Sequence, residues 1–85
     1  RFFIIAFIVA GPRFEPKEIT IVAGESVTWI HKDDYKGFDD IKHKITIYSQ
    51  TQSKLLYLDD TFEFTFTKPG EYVFVDSIFV EFMRG

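Results

Sequence analysis

Along most of this chain apolar and polar residues alternate one by one, the two-residue period of a β-strand with one buried face. The cleanest case is Phe62–Thr67. Phe62, Phe64 and Phe66 share one face there, and Glu63, Thr65 and Thr67 take the other. Ile19–Ala23, Ser26–His31, Lys44–Tyr48 and Tyr72–Val75 repeat the pattern in shorter form, with Ile19 and Ile21, Val27 and Trp29, and Ile45 and Ile47 as the apolar pairs. Phe2–Ala10 differs. Phe2, Ile4, Ala6 and Ile8 lie on one face and Phe3, Ile5, Phe7 and Val9 on the other. Two apolar faces mark a strand covered on both sides. No stretch carries a helical period.

Turn residues punctuate these runs. Gly11-Pro12, Pro16, Gly24-Glu25 and Lys68-Pro69-Gly70 each fall between strand patterns, where Gly and Pro set the backbone of tight turns. Lys32–Lys42 and Ser49–Lys54 read as polar loops, and Leu55–Leu58 as a short apolar run of open type. About seven short strands at spacings near ten residues predict an all-β sandwich or barrel. One domain spanning residues 1–85 is the economical division.

Composition sharpens this picture. A chain of 85 residues buries only about 60–65 % of its unfolded surface, so it needs a dense core. The 46 % hydrophobic content and eleven Phe can supply one. The net charge of −3 comes with no basic cluster, which argues against nucleic acid. The absence of Cys excludes disulfides, iron–sulfur clusters, Cys-ligated zinc and thiol nucleophiles. Asn is absent too, a thermophile-like bias. The chain opens on Arg1 rather than Met and reads as a processed product or an excerpt. Its opening run "FFIIAFIVA" is far short of the about 20 residues that span a membrane. It leads directly into strand sequence, which opposes reading it as a signal-peptide core.

"FEPKEITIVAGESVTW", from Phe14 to Trp29, carries Phe-x-Pro, an alternating strand, an Ala-Gly turn with an acidic residue, and Val-Thr-Trp. "FTFTKPGEYVF", from Phe64 to Phe74, is a strand, a Pro-Gly turn and a Tyr segment. "HKITI" opens a strand on His43, and "FMRG" closes the chain. In this order the segments resemble the plastocyanin/amicyanin branch of the cupredoxins. The resemblance implies a cupredoxin-like Greek-key β-sandwich of about seven to eight strands. It also implies a location outside the cytoplasm, periplasmic or extracellular, and electron transfer through one type 1 copper.

That copper centre takes two imidazoles and a thiolate in one plane, with a weak axial Met. The resemblance puts His43 at the first ligand position, Asp76 where the family has Cys, and Phe79 where it has the second His. Met83 lies one residue beyond the amicyanin spacing. A chain without Cys cannot build this centre. His43, Asp76, Glu81 and Met83 are what remains for a non-blue N/O site for Cu(II) or zinc. His31 stands where the family often has Asn beside Trp, and reads as a hydrogen-bonder that pins a loop.

The last residues support a different account. Asp76-Ser77 can serve as a two-residue hairpin turn from Tyr72–Val75 into a final strand, Ile78–Met83. Ile78, Val80 and Phe82 then face in. Such a strand would cover an otherwise open sheet edge. Phe79 and Met83 become surface or interface candidates. Asp33, Asp34, Asp39 and Asp40 surround Gly37, but their order is not that of a calcium-binding loop. Lys32, Lys36 and Lys42 neutralise part of their charge, so a solvated loop is expected. Ser26, Ser49, Ser53 and Ser77 lack the context of a serine nucleophile, and no enzyme activity is expected.

The sequence therefore predicts a metal-free structural or protein-interaction module without a cofactor. It is expected to work in a homo-oligomer or larger complex through Phe3, Ile5, Phe7 and Val9, since a contiguous exposed apolar patch is unusual on a soluble monomer. Contact with a membrane is left open, with no transmembrane segment. The alternatives are an electron-transfer or copper-binding protein with a degenerate non-blue site at His43, or an engineered cupredoxin scaffold.

Overall fold

The computed structural model describes residues 3–20, 23–38, 40–68 and 70–79. Among these residues there are seven strands: β1 Phe3–Val9, β2 Arg13–Glu15, β3 Ser26–Lys32, β4 Ile45–Ile47, β5 Thr51–Gln52, β6 Thr61–Thr65 and β7 Phe74–Asp76. A single 3-10 turn, Tyr35–Gly37, interrupts the loop after β3. The strands form two sheets, ordered β2-β1-β3-β6 and β5-β4-β7. The molecule is thus the all-β sandwich its alternation predicts. β1 runs parallel to β3 and antiparallel to β2, and β3 runs antiparallel to β6.

The inner faces follow the period of two. Ala6 and Ile8, Phe14, Val27 and Trp29, Ile45 and Ile47, and Phe74 are all buried. Trp29 sits at the middle of this core. Its ring stacks on Phe62 at 5.9 Å and meets the edge of Phe74 at 5.4 Å, and Phe14 meets Phe74 at 4.9 Å. Offset and edge-to-face arrangements are the favourable ones for aromatic rings. The Trp29 Nε1–H is buried without a hydrogen-bond partner among the described residues, which offsets part of that gain.

Three expectations change. Arg13–Glu15, assigned to no strand, and Thr51–Gln52, read as part of a polar loop, are short strands paired to Phe7–Val9 and to Thr46–Ile47. Ile19 and Thr20 are outside any strand and Ala23 is in a turn, while Ile21 and Val22 lie outside the described residues. The third change concerns the Asp76-Ser77 hairpin. Asp76 is the last residue of β7, opposite Ile45, and is fully buried. Ser77, Ile78 and Phe79 form a bend rather than a new strand, and Val80–Met83 lie outside the described residues. The reason is the Asp76 side chain. Its Oδ1 accepts the backbone N–H groups of Ile78 (2.8 Å) and Phe79 (3.1 Å). This folds the chain back, as Asp side chains do in local turns.

Candidate functional site

Three inward-facing rows turn from apolar to polar at the same end of the sandwich. On β3 the row runs Val27, Trp29, His31 and continues to Asp33 just past the strand. Leading into β4 it runs Ile47, Ile45, His43. On β7 it runs Phe74, Asp76. His31, Asp33, His43 and Asp76 are all buried. The antiparallel register sets Ile45 against Asp76 and Ile47 against Phe74, which brings the polar ends of two rows together.

His43 lies at the centre. Its backbone exchanges two hydrogen bonds with Leu56, donating at 3.0 Å and accepting at 2.7 Å. This bridge fixes where the ring enters the core. Nδ1 bonds Asp76 Oδ2, and Nε2 bonds Asp33 Oδ2 at 2.9 Å. Burial by itself lowers the pKa of His43. The hydrogen bonds to Asp76 and Asp33, with the charges of both carboxylates, outweigh burial and raise it above 6.5.

The surrounding groups are also committed. The Asp33 N–H donates to His31 Nδ1 (3.1 Å), so the other ring nitrogen, Nε2, donates to the Ile41 carbonyl (2.7 Å). His31 thereby pins both ends of the loop 33–41, the role its position suggested. The His31 ring meets His43 edge-on at 4.6 Å. Asp33 Oδ1 accepts the Tyr35 N–H at 3.3 Å. Phe79 covers His43 at 5.0 Å between ring centres.

These positions revise several site expectations. Asp33 is not part of a solvated acidic loop; it turns inward because His43 and His31 both bond it. Asp34 and Asp40 remain exposed, and Asp39 lies outside the described residues, so no calcium cluster is assembled among the described residues. Phe79, an interface candidate, is half-buried against the core. Met83 lies outside the described residues. On β1, Ile5 and Phe7 stand exposed at 45 % and 38 %, so the described residues do not cover that face. Val9 is half-buried there; the Phe3 side chain lies outside the described residues. The buried pairing of Asp33 with His43 was missed in the sequence. Its signal was the alternation Val27, Trp29, His31, Asp33, followed two residues further than the strand.

No family model matches the sequence, and no curated protein matches it. Among solved structures, the chain superposes on a Cu-containing nitrite reductase from Thermus scotoductus SA-01 with a TM-score of 0.79 at 26 % identity. The match covers 96 % of this chain and 21 % of that one, so the chain spans about a fifth of the reductase. A Cu(I) amicyanin variant gives a TM-score of 0.80 at 20 % identity, covering 98 % and 77 % of the two chains. A purple cupredoxin from Nitrosopumilus maritimus gives 0.74 at 23 % identity, covering 87 % and 86 %.

Copper of the kind the reductase and the amicyanin carry does not fit the residues described here. Both ring nitrogens of His43 already face carboxylate oxygens, so a metal could reach the ring only by displacing one of those carboxylates. Among the described residues, no three His, Cys, Asp or Glu side chains are arranged to hold a metal ion.

Proposed function

We propose that this chain, cupredoxin-like in fold, is a metal-free structural or protein-interaction module that works in a homo-oligomer or larger complex. The observation that carries this reading is the outer face of β1. Ile5 and Phe7 are exposed side by side on that strand, and Phe7 pairs with the half-buried Ile30 of β3. The rim carries both signs of charge. Glu15 lies opposite Phe7 and Arg13 opposite Val9, with an ion pair of 3.6 Å between them. An apolar strip with such a rim is self-complementary under a two-fold axis, so a second copy is the partner we favour. Residues 1–85 act as one such domain. It serves outside the cytoplasm, and it is not itself an enzyme; the likeness to small amicyanin and cupredoxin structures supports both readings.

The competing reading is copper binding or electron transfer at His43. It draws on the copper-bearing neighbours and requires His43 to give up a carboxylate partner. Sedimentation of the wild type and of Ile5→Asp and Phe7→Asp variants tests the interaction. Association that both variants abolish is the expected result. A wild type that stays monomeric at high concentration would overturn it.

A further inference from the structure

The His43 ring meets two acceptors at once. A neutral imidazole has one N–H and one lone pair. In the neutral form, a lone pair would therefore face a carboxylate oxygen inside the core, where water does little to weaken the repulsion. A ring with both nitrogens protonated satisfies Asp33 and Asp76 together. Among the described residues against it, the His31 ring is committed to Asp33 N–H and Ile41 O, and Phe79 and Leu56 are apolar.

We propose that in this chain a proton does the structural work a metal would do. An imidazolium at His43, clamped between Asp33 and Asp76, fastens the loop after β3, the entry to β4 and the bend after β7, and keeps divalent cations out of that place. The proposal rests on the metal-free part of the reading above. Each carboxylate carries the clamp outward. Asp33 holds the Tyr35 backbone, and Asp76 holds those of Ile78 and Phe79. Asp33 also lines an open hollow of about 260 Å³ with Gly11, Pro12, Tyr35, Ile41 and Phe79, which gives the proton a way in and out. Loss of the proton sets one carboxylate against a lone pair and releases the segment it holds.

The direction in pH follows. The folded pKa of His43 lies above its ordinary 6.5, so folding takes up a proton. The stabilisation is complete below about pH 6.5 and is lost as pH rises through the raised value.

Three measurements on the full chain test this. Nitrogen-resolved NMR of the His43 ring at about pH 6 should show both ring nitrogens protonated; a single N–H would overturn the clamp. From about pH 6 to pH 9 the wild-type unfolding midpoint should drop. Asp33→Asn, whose amide can donate to the ring lone pair, should flatten that profile. Parallel wild-type and D33N profiles would overturn the proposal. Titration with Cu(II) and with Zn(II) should show no stoichiometric uptake. Uptake that His43→Gln abolishes would overturn both the clamp and the metal-free reading, whereas a flat wild-type pH profile without uptake overturns the clamp alone. If the His43→Gln variant fails to fold, the ring NMR of the wild type still decides.

Discussion

The two ends of this core are built from the same strands and held by different physics. At one end Trp29, Phe62, Phe74 and Phe14 pack ring against ring. At the other, one or two residues further along each row, Asp33, His43 and Asp76 are held by hydrogen bonds and charge. The burial of aromatic surface involves no titrating group and does not depend on pH. A buried ionic group gains only when every partner is in place, and breaking one partner is costly. The difference suggests a division of labour. The aromatic end supplies most of the burial, and the polar end decides how the loops that meet there are arranged.

Variants at the two ends should separate these roles. Trp29→Ala removes the largest fully buried side chain and should cost about 3–5 kcal/mol in denaturant unfolding. That cost should be the same on either side of neutrality. Asp76→Ala removes one half of the clamp and the acceptor of two backbone N–H groups. It too should cost about 3–5 kcal/mol at low pH, but the cost should shrink as pH rises and His43 gives up its proton. Equal pH dependence in the two variants would erase the distinction between the ends. Ile45→Val, at the junction of the two regions, should cost about 1 kcal/mol, as a single deleted methylene does. The smallest effect belongs to the surface. Lys32→Ala breaks an ion pair with Asp59 whose side chains are half-exposed or more, and should change stability by less than about 1 kcal/mol.

Much of the scaffold was legible because it obeys one period. β1, β3, β4 and β6 fall within two residues of the runs that alternation predicts; of the inward residues, Val27, Trp29, Ile45, Ile47 and Phe66 are buried, and Phe62 and Phe64 are half-buried against the core. The strands that alternation missed are too short to show a period. Arg13–Glu15 has a buried Phe14 between two exposed charged residues, and only its pairing with Phe7–Val9 makes it a strand. Asp76 was misread for a different reason. Asp beside Ser favours turns locally, but the His43 ring, which is 33 residues away in sequence, gives the carboxylate a buried partner and keeps the residue in β7.

Strand alternation and the absence of Cys were enough to show an all-β sandwich with an aromatic core and no means of building a blue-copper centre, because both are read directly from residue order and type. Which polar residues meet was decided only by the tertiary structure. His43, Asp33 and Asp76 come from three separate segments. A hydrogen bond to each nitrogen of one ring exists only once two sheets have closed over it. That closure turns a histidine at the start of a strand into the centre of a buried ionic clamp.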